Sequence, residues 1–386
     1  MLYYRYRSGS EMSLKELIYD EMFFSSTEEC NDPYEGKLFA EFPKDEECWA
    51  NLIRVVTGHI SNESTEFLRQ RIVSFFLDRA PISVDEVLKL DENAFLAIAQ
   101  SIPERILLSL MLFRLKEYIM CHIPSEKYFV CFSKSPENYL MWSHYANNHK
   151  GYCLVFRTMD GKINQCPLRI KKSVSFLTPK SFSPRMTFPI EPGFRVEDMV
   201  YRESQERLNA FMGFPVAVNA NKYTPEEVKR YQNESSGVYT KKHTVWEYEK
   251  EARIVLSSGI SWLAGERLAL SPHQRLLHYD STQLIGLVFG AKMPESQRNR
   301  IREIVSEKVR GWYDGSGRDR IISDFMIFEE KLSEMNREVK AEPLEIHSCD
   351  KVTTKQEEGF INKYEAWKAG NAIHFRGSSA ERIVVK

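Results

Sequence analysis

No glycine-rich phosphate loop, no nucleophile elbow and no paired-cysteine motif occurs in these 386 residues. Without a Walker A loop or G-x-G-x-x-G, a nucleotide cannot be held by the amides of a glycine loop. Without G-x-S-x-G there is no serine-hydrolase elbow. The cysteines are Cys30, Cys48, Cys121, Cys131, Cys153, Cys166 and Cys349, an odd number with no Cys-x-x-Cys spacing. They read as reduced thiols of a cytoplasmic protein rather than a disulfide framework or zinc site. His144 and His149 are five apart, share no helix face and match no ligand spacing, so no metal is expected. Long apolar runs are missing too. Ile106 to Met120 is broken by Arg114 and Lys116 and is too short to span a bilayer. The opening MLYYRYRSGSEM lacks a signal-peptide core. With 53 Lys and Arg against 54 Asp and Glu, no global charge draws the chain to nucleic acid or a membrane.

What remains is a soluble globular composition, 42% hydrophobic and 12% aromatic, long enough for a large core. Leu2 to Arg7 predicts a first strand, Ser8-Gly9-Ser10 a turn, and Ser13 a helix start with Glu16 completing a capping box. Met22 to Ser26 predicts a second strand, ended by the turn chemistry of Asn31-Asp32-Pro33. From 45 to 122 the pattern is helical, with stripes at Leu52, Val55, Val56 and at Phe67, Ile72, Phe75, Phe76. Uncharged Tyr128 to Ser133 and Tyr152 to Phe156 predict buried strands around a short helix from Asn138 to Asn148. Leu168 to Phe176 and Met199 to Tyr201 read as strands, Glu203 to Met212 as a helix, and Pro215 to Val238 as a polar, mobile loop with a helix-like stretch at Pro225 to Tyr231. Leu268 to Leu270 is a short strand, Asp314 to Gly317 a turn. Leu284 to Phe289, Ile321 to Phe328 and Glu342 to Ile346 complete the sheet, with a helix from Pro294 to Val309. The fold class is therefore α+β: a mixed, mostly antiparallel sheet core at 1–44 and 123–347, a helical insertion at 45–122, and a tail at 348–386 without a clear place.

The stretch Lys242 to Leu256, KHTVWEYEKEARIVL, concentrates the chemistry. As a strand, its alternation puts Glu249, Glu251, Arg253 and Val255 on one face, with Trp246 and Tyr248 leading in. A carboxylate pair against an aromatic wall suits general-base or cation-stabilising work. Arg5, Arg7, Asn31, Asp32, Ser133, Trp142, His144 and Tyr145 likewise border apolar runs, and together they suggest one pocket.

Several blocks carry a resemblance. Tyr4-Arg5-Tyr6-Arg7-Ser8, Phe24-Ser25 to Asn31-Asp32-Pro33-Tyr34, Cys131 to Ser133, Met141 to Tyr145 with His149-Lys150-Gly151, and Trp246 to Arg253 resemble the uncharacterised bacterial family DUF2971. The order of elements is also similar to ADP-ribosyltransferases, with Arg5 or Arg7, a serine strand (Ser25-Ser26-Thr27 or Ser133) and Glu249-x-Glu251 in the places of that superfamily's arginine, serine strand and Glu-x-Glu. The first strand lacks the histidine of the other branch, and the helical insertion stretches the spacing. This second resemblance implies NAD as substrate. Glu251 would hold the ribose and its developing cation, and Glu249 would orient or deprotonate an acceptor. An arginine of the first strand would grip phosphate, with Tyr145 or Trp142 stacked on nicotinamide. It further implies a bacterial toxin or phage-defence effector with a protein or nucleic-acid acceptor and an operon partner. The alternatives are a non-catalytic ligand- or partner-sensing module using the same pocket, and a metal-dependent nuclease built on Asp32, Glu249 and Glu251.

Overall fold

The computed structural model describes residues 1–58, 63–91, 93–94, 98–99, 101–123, 127–177, 185–257, 269–313, 321–335, 338–348, 351–370 and 373–375. Its centre is a nine-stranded sheet of β1 (Leu2–Arg7), β2 (Lys127–Ser133), β3 (Tyr152–Arg157), β4 (Glu197–Asp198), β5 (Glu251–Ser257), β6 (Leu284–Phe289), β7 (Phe325–Leu332), β8 (Val339–His347) and β9 (Val352–Thr354). The spatial order is β4-β5-β2-β1-β3-β6-β7-β8-β9. Every neighbouring pair is antiparallel except β6 with β7. The mostly antiparallel mixed sheet of an α+β protein is thus present. Besides a single turn at Val216–Asn219, the described helices are α1 (Glu11–Tyr19), α2 (Glu46–Thr57), α3 (Glu63–Leu77), α4 (Val84–Lys89), α5 (Ile102–His122), α6 (Tyr139–Tyr145), α7 (Pro225–Ser236), α8 (Glu295–Tyr313) and α9 (Phe360–Ala369). Among the described residues no helix is long and apolar enough to cross a membrane.

Alternation along the strands serves two cores. Tyr3, Val130, Phe132, Leu154, Ile254 and Leu287 pack on one face with Leu14 and Leu17 of α1 and Ile301 and Val305 of α8. Tyr6, Cys153, Val155, Val288 and Met326 pack on the other with Met141 and Trp142 of α6 and Trp367 of α9. β6 is buried along its whole length, as a central strand with both faces covered must be.

The helical segment has its own core, where Trp49 stacks on Phe76 at 4.2 Å between ring centroids. That core also takes in Leu208, Phe211, Phe214, Val218 and Tyr231. Residues 208–231 therefore complete the helical unit, which corrects two expectations. Glu203 to Met212 is not a helix: Leu208–Asn209 pairs with Ala40–Glu41 and a 3-10 turn follows at Ala210–Gly213. Pro215 to Val238 is not a mobile loop: its helix-like stretch from Pro225 extends to Ser236 as α7, with Thr224 and Glu227 forming a capping box and Pro225 in the first helical position. Within the stripes, Val55 and Phe67 face out while Leu52, Ile53, Val56 and Ile72 face in.

α1 starts three residues earlier than the Ser13 pattern suggests. Ser10 Oγ accepts from the Ser13 N–H at 3.3 Å, which frees Glu16 to face the arginines of β1. Only Ser173–Leu177 of the predicted 168–176 strand is extended. The predicted turn at Asp314 to Gly317 lies outside the described residues, as does Leu268.

The tail, which the pattern leaves without a place, is part of the fold. β9 pairs with β8, and Trp367, 3% exposed, donates its indole N–H to the Ile285 carbonyl at 3.0 Å. Trp367→Ala should lower stability by about 3–5 kcal/mol, seen as a lower urea midpoint at unchanged slope.

Candidate functional site

β1 and β2 share a single register pair, Tyr4 with Ser133. Continuing that ladder would set Arg5, Tyr6 and Arg7 opposite Phe132, Cys131 and Val130. None of these is paired across the two strands, and all six line a cleft of about 400 Å³. Farther along, β2 is bridged to Ser25 instead, through Ser25 N–H to Phe129 O at 2.9 Å and Phe129 N–H to Ser25 O at 3.0 Å. The cleft is thus a split in the sheet, within the roughly 300–1,000 Å³ typical of ligand pockets.

One end is positive. Arg7 Nη2 lies 2.5 Å from Glu16 Oε2, while Arg5 Nη1 lies 3.8 Å from the same oxygen. Two guanidinia share one carboxylate, and Arg5 Nη1 and Arg7 Nε make no hydrogen bond. Burial, and then the neighbouring Arg7 charge, lowers the Arg5 pKa to about 10. An arginine 7% exposed with an unsatisfied donor is costly unless an anion can reach it.

The other end is a chain of buried ion pairs. Glu251 stands beside Ser133 and Arg253 beside Cys131 across the β5–β2 ladder, all four on one face. Arg253, 1% exposed, forks onto Glu35 with contacts of 2.6 and 2.8 Å and reaches Glu251 Oε1 from Nε at 2.7 Å. Its Nη1 also donates to the Tyr239 carbonyl at 2.9 Å. Lys242 Nζ bridges Glu249 at 2.6 Å and Glu251 at 3.1 Å, with the Trp246 ring centroid 4.7 Å away. Tyr145 donates its hydroxyl to Glu249 Oε1 at 2.6 Å, and Asn31 Nδ2 donates to Tyr145 at 3.3 Å. All four oxygens of Glu249 and Glu251 therefore already accept bonds.

The two carboxylates differ in proton affinity. Burial, and then the Glu251 charge, raises Glu249 above the ordinary range, against the pull of Lys242 and the Tyr145 hydroxyl. Burial would also raise Glu251, but Arg253 and Lys242 outweigh it and hold that carboxyl low. Cys131 opens on the cleft. Its depth and the Glu251 charge keep it a thiol, with a pKa pushed well up.

The structure brings Arg5, Arg7, Asn31, Asp32, Ser133, His144, Tyr145, Glu249, Glu251 and Arg253 to this one cleft. Asp32 caps its turn by accepting the Tyr34 N–H at 2.9 Å, and Ser133 donates to the Glu249 carbonyl at 2.7 Å. Two expected residues fall elsewhere. Trp142 is fully buried, edge-on to Tyr6, with its indole N–H on the Pro136 carbonyl at 2.8 Å, so it cannot stack on a ligand. Trp246 packs behind Lys242 and does not line the cleft. The uniform strand through the acidic pair is also corrected. Thr244–Glu249 is a 3-10 turn, Lys250 is left-handed with φ 45°, and β5 begins at Glu251. The turn's backbone, not strand alternation, brings Glu249 to Lys242.

Sequence reasoning missed Glu35, which looked like any polar residue after a turn, and gave Lys242 no role. Lys242 heads the stretch nine residues before Glu251 and was legible as one of its cations, together with Lys250 and Arg253. Asp32, Glu249 and Glu251 do not converge as a metal site. Among the described residues no group of three or more His, Cys, Asp or Glu is placed to hold one.

An α+β protein with a split sheet and a buried ion-pair chain is the class these observations define. Residues 141–254 match the family model described as "Protein of unknown function (DUF2971)", so this segment, from α6 to the opening of β5, carries that family's signature. No curated protein and no solved structure matches, so no match to an ADP-ribosyltransferase accompanies it.

Proposed function

We propose that the cleft binds NAD or a related nucleotide and that the protein is a glycosyl-transfer enzyme acting on it. The supporting observation is the cleft's polarity. Arg5 and Arg7 against Glu16 leave one positive charge at one end. Glu35, Glu249 and Glu251 against Lys242 and Arg253 leave one negative charge at the other when all are ionised. NAD has the matching polarity, with anionic phosphates and a cationic nicotinamide riboside. Phosphate on Arg5 and Arg7 would put the ribose toward Glu249, with Tyr145 beside the ring. Loss of nicotinamide makes the ribose cationic, and fixed negative charge in a dry site favours that state. Glu249, the carboxyl with the raised proton affinity, takes the acid–base role. Glu251 anchors Lys242 and Arg253 and supplies charge. A toxin or phage-defence effector modifying a protein or nucleic acid is the biological role that fits this chemistry.

A second reading, a sensing module without turnover, is favoured by the carboxylate oxygens being already engaged. Calorimetric titration with NAD, together with an assay for free nicotinamide, separates the two. Arg5→Met should weaken NAD binding tenfold or more, since a charge-assisted hydrogen bond contributes about 1.5–3 kcal/mol. Stability should hold in that variant, because Arg5 Nη1 makes no hydrogen bond and the Arg7–Glu16 pair stays intact. Nicotinamide release supports the enzyme. Binding without release supports the sensor, and absence of binding ends both.

A further inference from the structure

Two side chains of the Met141–Gly151 motif find no use in the cleft, and they meet a third from β7. Ser143 lies two residues, about 200° round α6, from Tyr145. Its Oγ is 3.2 Å from His149 Nε2, and His149 Nδ1 is 2.7 Å from Glu330 Oε1 on β7. We infer that Ser143, His149 and Glu330 form a Ser-His-Glu relay that makes the Ser143 hydroxyl a nucleophile toward short acyl esters. A triad is recognised by geometry and roles rather than by sequence position. Here it stands on a helix rather than an elbow, which is why the missing G-x-S-x-G does not exclude it.

The arrangement is fixed from every side. Glu330 is buried, and its second oxygen accepts the Ala291 N–H at 2.8 Å, so the carboxylate cannot swing away. A carboxylate on Nδ1 keeps the proton on that nitrogen and leaves Nε2 as the acceptor for the serine hydroxyl. His149 itself is held in the left-handed region, φ 68°, with its N–H on Trp142 O at 3.2 Å and its carbonyl on Lys292 N–H at 2.9 Å. A Cβ on Gly290 would lie 2.2 Å from that carbonyl, so the loop beneath has no freedom to shift. The Tyr139 ring covers the imidazole at 4.8 Å. His149 is 2% exposed, whereas Ser143 is only half-buried.

In the reaction Ser143 Oγ attacks the ester carbonyl carbon, its proton passes to His149 Nε2, and the carbon–oxygen bond to the leaving group breaks. The leaving alkoxide takes that proton, and water later releases the acid by the same route. α6 contains no glycine turn aiming free amides at the serine, so turnover is slow and covalent capture is the better readout. With a fluorophosphonate, the Oγ–P bond forms and fluoride leaves.

The experiment is fluorophosphonate labelling of the full chain, mapped by peptide mass spectrometry, alongside the p-nitrophenolate burst from p-nitrophenyl acetate. Expected are adduct on Ser143, a burst near one per chain, loss of both in Ser143→Ala, and a labelling rate at least 100-fold lower in Glu330→Gln. An unlabelled Ser143 in folded protein overturns the relay, as does an unchanged rate in folded Glu330→Gln. If Glu330→Gln does not fold, the imidazole tautomer of the wild type decides by NMR. A proton on Nδ1 upholds the relay, and one on Nε2 overturns it.

Discussion

Arg253→Met is expected to lower the unfolding free energy by about 3–5 kcal/mol, the usual cost of removing one partner from a buried ion pair. The guanidinium is the only cation touching Glu35 among the described residues, and it shares Glu251 with Lys242. Without it, Glu35 is a buried carboxylate with no counter-charge. The Tyr239 carbonyl loses its donor, and the Phe129 ring, 4.3 Å from the guanidinium carbon, loses its cation. The effect belongs to the uncompensated charge rather than to lost volume, so the triple variant Glu35→Gln, Glu251→Gln, Arg253→Met should recover most of the loss. Urea midpoints of the wild type, the single and the triple variant make the check. A single variant as stable as the wild type would refute it.

The same network sets an acid limit. Arg253 and Lys242 outweigh burial and hold the Glu251 carboxyl below the ordinary glutamate range in the folded protein. A carboxyl lowered in this way stabilises above the unfolded pKa, and that contribution is lost as pH falls through the folded one. Stability should therefore decline below about pH 4.5 in the wild type, and this part of the decline should be absent when residue 251 is glutamine.

Glu249→Gln should reduce nicotinamide release from NAD by about 100-fold or more while leaving NAD affinity near the wild-type value. It is a cleaner probe of chemistry than Glu251→Gln, which also disturbs Arg253. Glu249 is raised, so it keeps its proton to higher pH than an ordinary glutamate and loses it as pH rises. An enzyme using it as an acid loses kcat/KM on the alkaline side of that pKa, and this limb should vanish in the glutamine variant. Nicotinamide release unaffected by the substitution would remove Glu249 from the mechanism.

The aromatic and β-branched strands at Leu2–Arg7, Lys127–Ser133, Tyr152–Arg157 and Leu284–Phe289 were legible because period-2 burial leaves few other readings. The convergence of the β1 arginines on Glu249 and Glu251 was legible as a set of polar residues at strand ends. Ion-pair partners were not. Glu35 lies 218 residues from Arg253, and no local pattern marks a carboxylate that a fold will bury. Trp142 misled because a tryptophan beside a polar motif reads alike whether it walls a pocket or fills a core. The 208–231 segment misled for a related reason. Before its helix-like stretch at Pro225, its apolar residues are spaced for no regular element, and they acquire meaning only against Phe42 and Trp49 of a distant helical unit. Ser143 and His149 sat within a recognised motif, but Glu330, the residue that gives them a role, is 181 positions away.

A sheet fastened at one rung between β1 and β2 is mechanically two plates meeting at a seam. Tyr4 and Ser133 are the one shared rung, with β4, β5 and β2 on one side and the six strands from β1 to β9 on the other. Whatever occupies the opening wedges or braces that seam. A ligand there would touch strands on both sides at once and tie β1 to β2 where the ladder does not.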